Sequence, residues 1–296
     1  MNYYNEIKKN LLKCEIYEKS KDYAKARNKV KVYFETGKLL SEAGKDYGKN
    51  IIGQFAEKLM AEVGSKYNVR TLYGMRKFYE LFSKQKLNPL GSKLNWSHYR
   101  ELLSLKNINA IKYYIIICDR NNLTKRQLHE KIKNKEYERL SDKAKNKFIN
   151  EEELEIDDLI PNPIVISSNN LDDELSEYAL KRAILDNLDK FLLQLGGGFF
   201  YVGSEYKINI GDRHNFIDIL LYNIKYKCYV VVELKITELK KEHIGQIMTY
   251  INYIDKHIKT IEEDKTIGII ICKKDNKFIL EYCSDSRILS KEYILI

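Results

Sequence analysis

Proline is nearly missing from this chain: 3 residues in 296, alongside 14 glycines. That scarcity excludes proline-rich and low-complexity architectures and leaves long stretches free to form regular structure. Cysteine is scarce too. The five (Cys14, Cys118, Cys228, Cys272, Cys283) are odd in number and scattered, with no Cys-x-x-Cys pair and no histidine at zinc spacing. A disulfide scaffold and a structural zinc site are excluded, and reduced, mostly buried thiols of a cytoplasmic protein are expected. No apolar run approaches a membrane span, and Met1-Asn-Tyr-Tyr-Asn-Glu6 lacks a secretion-signal core. No membrane partner is therefore expected.

What is present is ample core material and an uneven charge. Hydrophobic residues make up 44% and charged residues 31%, enough for two cores without a staple. The length suggests two domains. The net charge of +9 hides a split. Residues 1–150 carry 33 Lys and Arg against 16 Asp and Glu, a net of +17; residues 151–296 carry 18 against 26, a net of −8. The basic half can hold a polyanion through counterion release. The acidic half repels one unless cations sit among its carboxylates. Solvated helix faces are the plainer account of the basic half.

All three prolines fall in two stretches, Lys86–Asn95 and Glu151–Asn170. Both read as breaks, and the second coincides with the charge reversal. The expected organisation is a helical domain over 1–150, a linker over 151–170 and a second domain over 171–296. Helical spacing of apolar residues appears over 23–43, 48–63, 69–83, 96–104, 107–120 and 124–134. After the boundary a helix is predicted over about 172–195, ended by Gly196-Gly-Gly198. Strands are predicted over Phe199–Gly203, Tyr206–Ile210, Phe216–Tyr222, Cys228–Ile236 and Thr266–Cys272, with a helix from about Lys240 to Tyr253. Tyr293–Ile296 reads as a short edge strand. This order predicts a mixed α/β layer domain.

Two of these strands carry charges where apolar residues belong. Asp218 interrupts Phe216–Tyr222, and Glu233 and Lys235 interrupt Val230–Ile236. Residues two apart on a strand share a face, so Glu233 and Lys235 project together while Leu234 faces the opposite layer. Charges inside such strands cost several kcal/mol unless paired or metal-bound. The short connection Asn223–Lys227 makes the two strands antiparallel neighbours, which brings Asp218 near Glu233. Two carboxylates can hold Mg²⁺, which prefers oxygen ligands. A nearby ammonium can orient water or stabilise charge on a phosphate.

Glu-x-Lys alone is a weak signal, since it also occurs at Glu6, Glu205, Glu238 and Glu263. An edge-strand salt bridge explains Glu233 and Lys235 equally simply. Gln246 and Tyr250, four apart on a helix, share a face and can buttress the lysine or touch phosphate. A surface amide and a core tyrosine is the plain alternative. Glu177 lies on the inward stripe of the 172–195 helix and can complete a metal site through water. It also fits a first-turn acid favoured by the helix dipole. Glu174 is a weaker candidate.

Asp218, Glu233-Leu-Lys235 and Gln246-Ile-Met-Thr-Tyr250 resemble the PD-(D/E)XK nuclease superfamily. More closely, the chain is similar to the bacterial YhcG-like nucleases. The C-terminal half carries this through Phe191–Gly196, Phe216–Tyr222, Val231–Lys235 and Thr266–Cys272. The N-terminal half does so through Met75–Tyr79, Asn95-Trp-Ser-His-Tyr99 and Tyr137-Glu-Arg-Leu140. The resemblance spans roughly residues 20–296. It implies an α+β two-domain protein: an all-α, helix-turn-helix-like DNA-binding domain followed by an α/β restriction-endonuclease-like domain. It further implies Mg²⁺ or Mn²⁺ held by Asp218, Glu233, the Leu234 backbone carbonyl and Glu177. Lys235, Gln246 and Tyr250 complete the catalytic set. Restriction or defence, with restriction–modification components as partners, is the implied setting. The chain departs from the family pattern at Ile217-Asp218, at Lys181, where a second acid is frequent, and around Leu123-Thr124.

In the basic half, Tyr67–Tyr79 reads as the second helix of a helix-turn-helix, with Arg70, Arg76 and Lys77 toward DNA. Asn122–Ile132 repeats the pattern, with Lys125 and Arg126 near its start. A plain helical bundle is the alternative. Trp96 and His98 read as core residues rather than a recognition site. The expected function is a metal-dependent endonuclease acting on DNA, as a homodimer or higher oligomer because cutting two strands needs two sites. A DNA-binding protein with a silent nuclease fold and an RNA-cleaving enzyme are the rivals.

Overall fold

The structure is a computed structural model that describes residues 2–19, 24–46, 50–84, 93–167, 176–283 and 285–296. The chain divides into two compact units, Met1–Lys133 and Asn134–Ile296.

Among the described residues the first unit is all helix: α1 (Tyr3–Lys19), α2 (Lys25–Asp46), α3 (Ile51–Glu62), α4 (Val69–Lys84), α5 (Trp96–Leu102), α6 (Ile108–Asn121) and α7 (Lys125–Lys133). Six of these correspond to the predicted helices. The unanticipated one, α1, buries only Ile7, Leu11 and Cys14, a stripe too thin to stand out among its charged neighbours. The expected break at 86–95 lies mostly outside the described residues. Its last residue, Asn95, caps α5 by accepting the Ser97 N–H at 3.0 Å, as Ncap residues do. The core is aromatic. Phe78 meets Phe82 at 4.9 Å, Tyr99 at 4.8 Å and Trp96 at 5.5 Å between ring centroids. Trp96 and His98 are buried, as core residues should be.

Glycine sets the closest approach in this bundle. A Cβ placed on Gly37 of α2 would lie 2.1 Å from the Met75 carbonyl oxygen and 2.9 Å from Tyr79 Cβ on α4. The obstacle is backbone, so α2 and α4 would have to separate. Gly37→Ala is expected to destabilise this unit by about 3 kcal/mol, at the upper end for overpacking. Urea denaturation followed by Trp96 fluorescence, from the chain's single tryptophan, checks it. An unchanged midpoint would refute the close-packing account.

The second unit begins with three short helices, α8 (Glu136–Arg139), α9 (Asp142–Ile149) and α10 (Ile156–Leu159), and a strand, β1 (Ile164–Ile166). There follow α11 (Glu177–Asp186), α12 (Leu188–Leu195), β2 (Phe199–Ile210), β3 (Arg213–Asn223), β4 (Cys228–Glu238), α13 (Lys241–His257), β5 (Ile267–Lys274), α14 (Lys277–Cys283) and β6 (Ile288–Leu295). The six strands form one sheet in the order β1-β6-β5-β4-β3-β2. The β2–β3–β4 pairings are antiparallel, and those of β4, β5, β6 and β1 are parallel. One face is covered by α11 and α12 through Leu180, Ile184, Phe191 and Leu195, packed on Ile219, Val232, Leu234 and Ile271. The other is covered by α13 through Ile244, Ile247, Ile251 and Ile254, packed on Leu220, Val231 and Ile270. Strands buried on both faces explain the unbroken apolar runs of β4 and β5.

Several expectations change. The 151–170 stretch is no linker over its described part, 151–167. Ile156, Ile160, Ile164 and Ile166 join the core beneath α11 and α12, and β1 pairs with β6. The division falls at Lys133–Asn134 because Arg139 is tied into the second unit, donating to the Pro163 carbonyl and to Gln194 Oε1. With this boundary the first unit carries 28 Lys and Arg against 13 acids and the second 23 against 29. The electrostatic contrast, +15 against −6, survives the shift.

The expected edge strand at 293–296 is an interior strand, because β1 satisfies its outer side. The two strands expected over 199–210 are one, with a register shift between Tyr201 and Gly203. The 172–195 helix is two helices meeting at Asn187, whose backbone leaves helical geometry. Residues 172–175, Glu174 among them, lie outside the described residues.

Candidate active site

The site sits where β3 and β4 bring charged residues together. Ile219 pairs with Val232 in the antiparallel ladder, so the preceding Asp218 stands across from the following Glu233. Backbone groups lock the two carboxylates in place. The Leu234 N–H donates to Asp218 Oδ2 at 3.0 Å, and the Asp218 N–H donates to Glu233 Oε1 at 3.4 Å. Lys235 extends along the same face as Glu233. Its Nζ lies 3.5 Å from Glu233 Oε2 and 3.5 Å from Glu177 Oε2. The Leu234 side chain is fully buried in the opposite layer, against α11 and α12, as strand alternation requires.

Glu177 occupies the first turn of α11, behind the Ser176 cap. It therefore serves as a first-turn acid and also reaches Lys235. Gln246 and Tyr250 share a face of α13, but the Gln246 amide donates to Tyr250 Oη at 3.1 Å rather than to Lys235. Tyr250 is a core residue beside Ile247 and Ile251. Burial raises its pKa, and the charges of Glu233 and Asp218 act in the same direction. The hydroxyl thus lies in the field of the site while its ring packs in the core.

Two residues join the site that strand patterning did not single out. Lys181, one turn after Glu177 on α11, places Nζ 3.3 Å from Asp218 Oδ1 and 2.9 Å from Glu205 Oε1. Its i+4 spacing from Glu177 was the available signal. Glu205 belongs to β2. The register flanking it, Ser204 to Ile219 and Tyr206 to Ile217, sets it opposite Asp218, and its backbone takes the left-handed conformation at φ 47°. In sequence it falls in the gap between the strands predicted over Phe199–Gly203 and Tyr206–Ile210. Burial opposes the Lys181 ammonium, yet Glu205 and Asp218 outweigh it and hold the pKa above the usual lysine value.

The electrostatics of the acids are strained. Glu233 is 2% exposed. Its pKa is pushed up to about 8, first by burial and then by the Asp218 charge, with Lys235 only partly offsetting them. With Glu177 and Glu205 the cluster holds four acids against two lysines. Among the described residues no three His, Cys, Asp or Glu side chains form a metal-binding group. The oxygen donors fit a hard divalent cation of the Mg²⁺ kind, which is commonly held by one or two carboxylates together with water. Asp218 and Glu233 are the side chains that would hold it.

The basic residues of the first unit are less uniform. Arg70 is exposed on α4. Arg76 on the same helix pairs with Glu80 at 2.7 Å, and Lys77 donates to the Leu103 carbonyl, so both are engaged within the bundle. On α7, Lys125 pairs with Glu101 at 3.2 Å, and Arg126 is 87% exposed beside Glu130.

Comparison with known proteins places this geometry in a family. Residues 157–294 match the YhcG PDDEXK nuclease domain, and residues 12–139 match the DUF1016 N-terminal domain. The chain carries a YhcG PDDEXK nuclease domain behind a DUF1016 N-terminal domain. It is 27% identical over 277 residues to the Escherichia coli (strain K12) protein described as "Putative nuclease YhcG", covering 81% of this chain and 73% of that one. Every acid and lysine of the site falls within the YhcG nuclease domain. Two solved structures show weaker likeness. A repair endonuclease from Pyrococcus abyssi is 18% identical with a TM-score of 0.28, covering 43% of this chain. The EndoMS-dsDNA2 complex is 18% identical with a TM-score of 0.29, covering 44%. The chain spans about half the length of each. No helix among the described residues is long and apolar enough to cross a membrane.

Proposed function

We propose that this chain is a divalent-metal-dependent endonuclease that hydrolyses phosphodiester bonds in DNA. The observation that carries the reading is the convergence of Asp218, Glu233 and Lys235 at one place on the sheet, inside the domain that matches the family's nuclease region. Asp218 and Glu233, with the Leu234 carbonyl, would hold Mg²⁺ or Mn²⁺. Such a cation, when bound, polarises a phosphodiester and acidifies water. Lys235 positions the attacking water and stabilises charge on the phosphate. Glu177 and Lys181 set the position of Lys235 and Asp218 through ion pairs, and Tyr250 closes the α13 side of the site.

The first unit, at +15, would supply affinity for the polyanion, with Arg70 and Arg126 among its exposed cations. Arg76, Lys77 and Lys125 contribute only by leaving their present partners. Cleavage of both strands requires a homodimer or higher oligomer, and restriction or defence is the setting in which such a protein acts.

The test is a cleavage assay on supercoiled, linear and single-stranded DNA and on matched RNA, with Mg²⁺, with Mn²⁺ and with chelator alone. Metal-dependent nicking or cutting of DNA is expected. Tight DNA binding without hydrolysis under any metal would favour the silent-scaffold reading, and preferential RNA cleavage would reassign the substrate.

A further inference from the structure

We propose that Lys181 is a built-in counter-cation of the site, clamped by Glu205, that limits each chain to one bound divalent ion. The inference rests on the metal-site reading above and deepens it. Each central carboxylate faces one ammonium. Glu233 Oε2 faces Lys235 at 3.5 Å, and Asp218 Oδ1 faces Lys181 at 3.3 Å. The remaining oxygens of the pair accept backbone N–H groups, Asp218 Oδ2 from Leu234 and Glu233 Oε1 from Asp218. Asp218 Oδ1 is thus held by a lysine side chain rather than by a backbone N–H.

The clamp is specific. Lys181 and Glu205 meet at 2.9 Å, and the lysine side chain is only 13% exposed. Glu205 reaches it from a left-handed backbone position directly across the ladder from Asp218. A non-glycine residue adopts that conformation only where its surroundings demand it. The result is a fixed positive charge on one side of Asp218, tethered from a third strand. An ammonium so placed repels a second divalent ion.

The test is Mn²⁺ binding to the full chain without nucleic acid, read as stoichiometry by calorimetry and as free Mn²⁺ by paramagnetic resonance. One ion per wild-type chain is expected, lost in Asp218→Ala. Lys181→Met removes the counter-charge and should tighten that ion by about tenfold. Lys181→Glu should admit a second ion. Glu205→Gln, at an exposed strand position, removes a negative charge and leaves Lys181 to Asp218 alone, so it should shift Mn²⁺ affinity in the opposite direction to Lys181→Met, guarding against misfolding at position 181. Two ions per wild-type chain, both lost in Asp218→Ala, would overturn the role of Lys181 while leaving the metal site standing. Unchanged Mn²⁺ affinity in folded Lys181→Met and Glu205→Gln would do the same. No ion bound to wild type or to Lys181→Met would overturn the metal-site reading and this inference together.

Discussion

Lys235→Ala is expected to lower DNA cleavage by about 10³-fold, the upper range for removing one preorganised donor from a reacting centre. Lys235 is 8% exposed at the far end of the β4 apolar run. Its Nζ touches Glu233 and Glu177 at 3.5 Å each, contacts long enough to be exchanged for water or phosphate without breaking strong bonds. An ammonium partly shielded from solvent acts on developing charge far more strongly than one in bulk water. DNA affinity should change by less than about threefold, since one lysine contributes at most one phosphate contact. Cleavage rates and gel-shift affinities measured on the same preparation separate the two effects. A mutant that cuts within tenfold of wild type would remove Lys235 from the chemistry.

The second large effect is on stability rather than rate. Glu233 keeps its proton in the folded chain up to about pH 8, well above the ordinary carboxylate value of 4.5. Over that window the folded state binds more protons than the unfolded chain. Stability contributed by this group is therefore complete below about pH 4.5 and is lost as the pH rises through 8. In chelator, the second unit should lose about 3 kcal/mol between pH 5 and pH 8.5, an order-of-magnitude figure from the size of the shift. Glu233→Gln carries no titrating group and should be nearly flat over the same range, so it should exceed wild type in stability at pH 8.5. The depressed His98 and His243 pKa values, lowered chiefly by burial, act in the opposite sense. They cancel in the difference between wild type and variant. Adding Mg²⁺ should raise the melting temperature of wild type more at pH 8.5 than at pH 6, and leave Glu233→Gln little changed. Scanning calorimetry across this pH range checks both. A wild type that gains stability with rising pH relative to the variant would sink the account of Glu233.

The same residues show why the charged strands were readable from the chain alone. A carboxylate or lysine inside an apolar β run is conspicuous because its cost is large and local. Asp218, Glu233 and Lys235 stood out for that reason. The short connection Asn223–Lys227 was enough to make their strands antiparallel partners. Helices α2 to α7 were readable from apolar spacing, and Trp96 from its residue type. Lys181 and Glu205 were not readable as one unit. A lysine on a helix and a glutamate between two predicted strands look like surface charges until sheet register sets Glu205 opposite Asp218 and Lys181 bridges them. The basic residues of α4 also looked alike in sequence, yet Arg76 and Lys77 are engaged by Glu80 and Leu103 and Arg70 is not.

By itself, the sequence determined the class of each half, the location of the charged strands and the family. These depend on patterns a few residues long: alternation, helical spacing, and the cost of placing a charge among apolar neighbours. Tertiary structure alone decided the parallel order β4-β5-β6-β1, the inclusion of 156–166 in the sheet, and the Glu205–Lys181–Asp218 chain of contacts. Those depend on hydrogen bonds and ion pairs between residues far apart in the chain, whose partners are chosen by register and packing rather than by local composition.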